Sequence, residues 1–228
     1  LGKIVGNGHL QQGFKPVHWC LDCASALAEA EVEYEDKTSP AIDVAFPVVD
    51  VADFVARSGI EASAPALVIW TTTPWTLPAN RAVAVHPELD YVLLSGELDG
   101  APRELLVAEA LADDLVTRWG LDNVSRSATV TGSKLEMMPL QHPFLEAQVP
   151  VIFGEHVTTD AGTGLVHTAP GHGADDFVVG KQYDLDPISP VLDNGLFRED
   201  LPVVGGLHVS KANEPVIEAL QGSGNLVK

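Results

Sequence analysis

The chain has 228 residues, 46% of them hydrophobic, which is enough for one large domain or two small ones around a buried core. Thirteen Lys and Arg stand against 32 Asp and Glu, a formal net charge of −19, so the composition argues against a protein that grips a nucleic-acid backbone through a basic face. No apolar run approaches the ~18 residues of a spanning helix, and the N-terminus lacks a charged start followed by an apolar stretch, so no membrane anchor or signal peptide is expected.

Taken in chain order, residues 1–40 are mixed: Gly-rich, then HWCLDC, then SALAEAEVEY, which suits a short helix or a strand. Cys20 and Cys23 are the two cysteines, too few for a secreted disulfide scaffold and consistent with a cytosolic setting. One CxxC is half of a tetrahedral zinc site. His9 and His18, or residues outside this chain, would have to complete it; a reduced pair without metal is the equal alternative. AIDVAFPVV (41–49) reads as a strand, and VADFVARSG as a short helix closed by Gly59. ALVIWTT, AVAVH and YVLLSGEL are strand-like with turn residues between them. Leu105, Ala108, Leu111, Leu115 and Trp119 recur at helical spacing and predict one long helix from Arg103 to Gly120. SATVTGSKLE, VPVIFGEHV and GTGLVHTAP again read as strands. GADDFVVGKQYDL reads as a helix opened by acidic residues, and NEPVIEALQGSG as a final helix with proline near its start. Many short strands with few helices predict a mainly β domain, a barrel or strongly curved sheet with peripheral helices.

Two stretches carry chemistry. In WTTTPWTLPANRA (70–82) a strand runs into three hydroxyls and a proline. If the strand persists, Thr71 and Thr73 share a face and Thr72 takes the other. Pro74 removes a donor and holds Thr73 extended, leaving backbone groups for a ligand. The bland alternative is a solvated, threonine-rich strand end. In GTGLVHTAPGHGADDF (162–177) a strand carries His167, a Pro-Gly-His-Gly turn carries His172, and a helix opens on Asp175 and Asp176. Taken alone, His167 is as well explained by packing, and the aspartates by helix capping. A metallohydrolase on His167, His172 and Asp175 is a second reading, although the His–His spacing departs from the helical HExxH pattern. There is no phosphate-binding G-x-x-x-x-G-K-[ST] loop and no GxSxG elbow.

Together, WTTTPWTLPANRAVAV and GTGLVHTAPGHGADDF resemble the editing domain of isoleucyl-tRNA synthetases, the insert in the connective peptide of the catalytic domain. GNGHLQQGFKPVHWCLDCASALAEAEVEY resembles the start of that insert and GGLHVSKANEPVIEAL its end, so the likeness spans the chain. The valyl and leucyl enzymes have related motifs; TTTPWT with HTAPGHG favours the isoleucyl member.

The resemblance implies a distorted, closed β-barrel of the valyl/isoleucyl/leucyl editing type. Residues 1–40 would be the connecting segment and 41–228 the editing domain, an excised piece of a larger synthetase. It implies hydrolysis of valine mischarged onto the isoleucine tRNA, with isoleucine excluded; valyl-adenylate is a possible second substrate. It places Trp70, Thr71, Thr72 and Thr73 in the wall for the aminoacyl-adenosine end, and Asn80 near the pocket. His167 would be the steric gate and Asp176 the anchor of the substrate α-ammonium, so Thr72, His167 and Asp176 carry the reaction. The partners implied are the 3′-terminal aminoacyl-adenosine of the isoleucine tRNA and the rest of the synthetase in cis. A cytoplasmic monomer without cofactor is expected, with Cys20 and Cys23 an orphan, metal-free half-site. ATP would bind only in the full-length enzyme, since no HIGH-like or KMSKS-like motif is present. A tRNA-end binding module without activity is the alternative from a different class.

Overall fold

The computed structural model describes residues 1–10 and 13–228; Gln11 and Gln12, within the expected connecting segment, lie outside the described residues. The chain opens with the one-and-a-half-turn helix α1 (Gly2–Gly6) and a hairpin of β1 (His18–Cys20) and β2 (Ser25–Leu27). No described residue before Ile42 is buried. From there the elements are β3 (Ile42–Pro47), α2 (Val51–Ser58), β4 (Pro65–Thr71), β5 (Ala82–Val85), β6 (Asp90–Leu98) and β7 (Ala101–Ala108). They continue with α3 (Ala112–Trp119), β8 (Asp122–Arg126), β9 (Val130–Thr131), β10 (Pro139–Gln141), β11 (Gln148–Phe153) and β12 (Val166–Thr168), and end with α4 (Ala174–Gln182) and α5 (Asn213–Ser223).

Two open sheets form the body. The larger has the order β3-β4-β7-β6-β8, with β9 also paired to β6; the smaller has the order β10-β11-β5-β12. The expected mainly β character with peripheral helices is present. The expected closed barrel is not: the two sheets stay separate, the outer edge of β3 is covered by residues 225–228 (Ala45 N to Asn225 O, 2.9 Å; Val227 N to Asp43 O, 2.8 Å), and among the described residues the sheets are joined by the single bridge Val48–Leu140 and by side-chain packing. That packing is one apolar core, in which Phe46, Leu67, Ile69 and Leu106 of the large sheet meet Val83, Val85 and Val151 of the small one. A second cluster lies under α3, where Leu115 and Trp119 cover Val68, Val92 and Val107. The large sheet is thus covered on both faces. Buried strands of this kind need near-continuous apolar sequence rather than alternation, as in Leu105–Ala108, four consecutive buried residues.

The predicted helix from Arg103 to Gly120 is corrected by that same stretch. Residues 101–108 are strand β7, and the helix begins only at Ala112. Asp99 and Gly100 both have positive φ (51° and 76°) and link Leu98 to Ala101 as a two-residue turn. An Asp-Gly pair at that position favours a tight hairpin, which pulls 101–108 onto β6 before a helix can continue through it. SATVTGSKLE shortens to β9 followed by a single 3-10 turn, and SALAEAEVEY to β2 and another such turn. The helix at 51–58 closes on left-handed Gly59, as the sequence predicts.

Candidate functional site

The threonine stretch and the histidine stretch meet at one place. A cavity of about 280 Å3 is lined by Trp70, Thr71, Thr72 and Thr73 from the end of β4, by His167 from β12, and by Asp176 from α4. Thr76, Val166, Ala169, His172 and Gly173 complete it. The site therefore lies where the two sheets adjoin: β4 belongs to the large sheet and β12 to the small one.

Strand β4 stops at Thr71, so the three hydroxyls do not follow strand alternation. Thr71 is buried, and its Oγ1 accepts from Thr73 N (3.1 Å) and lies 3.3 Å from Thr73 Oγ1. This side-chain turn still brings Thr71 and Thr73 together, while Thr72 and Thr73 remain exposed. Pro74 then opens a 3-10 helix, Pro74–Ala79, whose Thr76 Oγ1 donates to Thr73 O (2.9 Å).

His167 is buried with both ring nitrogens engaged. Asn80 Nδ2 lies 2.6 Å from Nδ1 and also donates to Ala82 O (2.9 Å), which fixes the amide orientation. Nδ1 is thus an acceptor, and Nε2 carries the proton toward Thr76 Oγ1 (3.0 Å). Burial, reinforced by the neighbouring His142 and His172, pushes the imidazole pKa down to about 3. The ring is a neutral wall with no spare nitrogen. Asn80 itself is 2% exposed and does not line the cavity; it stands behind His167. Its Oδ1 is buried without a hydrogen-bond partner among the described residues.

Asp176 lies in the first turn of α4, where the unpaired amides favour a carboxylate. Its Oδ2 accepts from Ala169 N (2.9 Å), folding the helix start onto the TAPGHG turn, which is also closed by His172 N donating to Ala169 O (2.8 Å). Gly173 makes this possible: a Cβ there would stand 2.8 Å from the Asp176 carboxyl carbon. Burial raises the Asp176 pKa, and the Ala169 N–H partly offsets it. A cation entering the cavity would favour the ionised form.

The GTG loop ties the two halves together. Ala108 N donates to Thr163 O (2.9 Å), and Gly164, at φ 77°, packs so closely that a Cβ would come 2.2 Å from that of Ala108. Tyr91 OH donates to Gly164 O (3.0 Å). Asp175 faces elsewhere, into a separate depression beside His156. Among the described residues no three His, Cys, Asp or Glu converge as a metal site, so the His167–His172–Asp175 constellation does not assemble. Cys23 N approaches Cys20 Sγ at 3.4 Å, and His9 and His18 do not join the pair in such a cluster. Sequence reasoning missed Thr76; its signal was the Pro74-started turn, which places a hydroxyl three residues after Thr73.

The family model "tRNA synthetases class I (I, L, M and V)" matches residues 1–203. The chain belongs to the class I tRNA synthetases. It is 92% identical over 228 residues to the isoleucine–tRNA ligase of Alcanivorax borkumensis and 56% identical over 229 residues to that of Shewanella amazonensis. Each match covers all of this chain and 24% of the relative, so the chain spans about a quarter of the ligases it matches. Its fold is that of leucyl editing domains. It superposes on the crystal structure of GlLeuRS-CP1 with a TM-score of 0.64 at 15% identity, covering 82% of this chain and 98% of that one. On the P. knowlesi cytosolic leucyl-tRNA synthetase editing domain the TM-score is 0.63 at 10% identity, covering 82% and 95%. Among the described residues no helix is long and apolar enough to cross a membrane.

Proposed function

We propose that this class I synthetase segment is the proofreading site for valine. It hydrolyses the ester of valine mischarged onto the isoleucine tRNA, with residues 41–228 as the catalytic unit and 1–40 as its connection to the parent enzyme. The observation that carries the reading is the joint placement of Asp176, the three threonines and a neutral His167 around one 280 Å3 cavity. An aminoacyl ester differs from a peptide by its free α-ammonium, and a half-buried carboxylate at a helix N-terminus is its natural partner. Valine is isoleucine less one methylene, and one methylene in an apolar pocket is worth only about 1–3 kcal/mol, a limit for which the isoleucyl enzymes are the standing illustration. A second site that admits only the smaller side chain overcomes it.

In this reading the His167 ring limits the pocket by its bulk. Its two engaged nitrogens and depressed pKa give it no role as a general base. Aminoacyl esters are reactive, so positioning and stabilisation of the oxyanion by the threonine hydroxyls and exposed amides suffice. The attacking water is oriented by Thr72 and Thr73 and by the free ribose hydroxyl of the terminal adenosine. The acidic surface fits a domain that holds only the tRNA end while the parent enzyme holds the body.

The test is deacylation of valyl- and isoleucyl-esters of the isoleucine tRNA by this chain and by its Asp176→Ala variant. Loss of the valyl ester alone, abolished by the substitution, is expected. Equal hydrolysis of both esters, or an unaffected variant, defeats the reading.

A further inference from the structure

The 3-10 turn Pro74–Ala79 carries the groups that grip the His167 ring. Thr76 Oγ1 lies 3.0 Å from Nε2, and Asn80, which caps the turn, brings its Nδ2 to 2.6 Å from Nδ1. The turn has little of its own to hold it still. Hydrogen bonds of 3-10 geometry are poor, and such runs seldom exceed about four residues; this one has six, and Pro74 and Pro78 donate nothing. It is held from outside at two points. Near its start, Trp75 N donates to Asn213 Oδ1 of α5 (3.1 Å). Near its end, Leu77 O accepts from Asn80 N (2.9 Å) and from His142 Nε2 (3.0 Å). The first of those bonds is internal to the turn, so His142 ties that carbonyl to the rest of the fold. His142 is itself rigid: it is 2% exposed, and its ring lies edge-on to Phe46 and to Phe144. Its Nδ1 accepts from Phe144 N (3.3 Å) and Leu145 N (3.1 Å), which leaves Nε2 as the donor.

We propose that His142 and Asn213 are positioning residues for the pocket wall: they clamp the Pro74–Ala79 turn from behind and so fix where the His167 ring stands. Neither lines the cavity. Their effect passes through backbone groups, Leu77 O and Trp75 N, to the Thr76 and Asn80 side chains that hold the two ring nitrogens. A turn freed at either end carries the ring with it, and the size limit of the pocket loosens.

The clamp rests on the proofreading reading, and the experiment separates the two. Each residue is replaced once to break its bond and once to keep it. His142→Asn retains an acceptor for Phe144 N and Leu145 N but is too short to reach Leu77 O, whereas His142→Gln can reach it. Asn213→Ala removes the acceptor of Trp75 N, and Asn213→Asp keeps it. Two quantities are read: the nitrogen NMR resonances of the His167 imidazole, and the ratio of kcat/KM for the isoleucyl and valyl esters of the isoleucine tRNA. In the breaking variants the resonances are expected to move and the ratio to rise roughly 2- to 10-fold, the scale of one neutral hydrogen bond. The keeping variants are expected to stay near the parent. Loss of stability alone lowers both esters together and leaves the ratio unchanged. Breaking variants in which the resonances or the ratio stay at the parent's value overturn the clamp, as do keeping variants that behave like the breaking ones. Asn213 is only half-buried, so its pair decides the matter should His142→Asn not fold. A parent that cleaves neither ester defeats the proofreading reading instead, and the His167 resonances then decide the clamp by themselves.

Discussion

Thr76→Val tests the buried chain of hydrogen bonds that holds the pocket wall. The substitution keeps the side-chain shape and deletes one hydroxyl. That hydroxyl accepts from His167 Nε2 at 3.0 Å and donates to Thr73 O at 2.9 Å, and Thr76 is 7% exposed, so water does not replace it. Leaving a buried donor unsatisfied costs about 1–3 kcal/mol. In a domain of this size each kcal/mol lowers the melting temperature by roughly 2–4 °C. Denaturant unfolding of the two proteins reads the free energy directly. Nitrogen NMR of the imidazole is expected to keep the Nε2–H tautomer, because Asn80 still donates to Nδ1, while the Nε2 resonance moves as it loses its acceptor. In the deacylation assay a ring freed from Thr76 admits the larger side chain, so hydrolysis of the isoleucyl ester rises relative to the valyl ester. A variant as stable as the parent, with an unchanged His167 Nε2 resonance, refutes this chain of hydrogen bonds.

Acid stability follows from three histidines. Burial lowers His142 and His172 to a pKa of about 4 and His167 to about 3, from 6.5 unfolded. Between those values the unfolded chain binds more protons than the native one, so their contribution to stability is complete above pH 6.5 and is lost as pH falls toward 3. Asp43 and Asp176, with raised pKa, act in the opposite sense near the carboxylate range. Unfolding followed from pH 7 to 4 is expected to show uptake of up to three protons; a flat profile contradicts it. Gly164→Ala, which forces a Cβ to 2.2 Å from that of Ala108 at φ 77°, is expected to cost about 2 kcal/mol or more by chemical denaturation. Asp176→Asn keeps a side-chain acceptor for Ala169 N but loses the ion pair with the substrate, so valyl-ester hydrolysis should fall roughly 10- to 100-fold, the scale of one charged hydrogen bond. Asp43→Ala leaves Trp119 Nε1 without its 2.9 Å partner and frees Arg118, and a loss of about 1–3 kcal/mol is expected in thermal unfolding.

The site was more legible in the sequence than the architecture around it. The two motifs are long enough to carry a family resemblance, and the residues that it places at the pocket, Trp70, Thr71, Thr72, Thr73, His167 and Asp176, do line one cavity. Asn80, expected near the pocket, stands behind His167 rather than in the cavity wall, because a motif records that a residue stays near a pocket and not which side of His167 it occupies. Thr76 was passed over because its importance arises from a contact 91 positions away. The fold was harder. Leu105 to Trp119 satisfies a helical period by coincidence, since a strand covered on both faces is apolar at every position and fits any period; the Asp99–Gly100 turn was the signal that outranked it. Sheet closure depends on how many edge strands meet, which no local pattern records.

The threonines come from one sheet and His167 from the other, so the width of the pocket is set by the distance between two packed layers. Leu106 and Val83, buried in the core between the sheets, act as its spacers, and Val83 is the direct cross-strand partner of His167. On the proofreading proposal, substrate choice is thus partly a property of the interior. Repacking the seam is then expected to retune which side chain is rejected without altering a residue that lines the cavity.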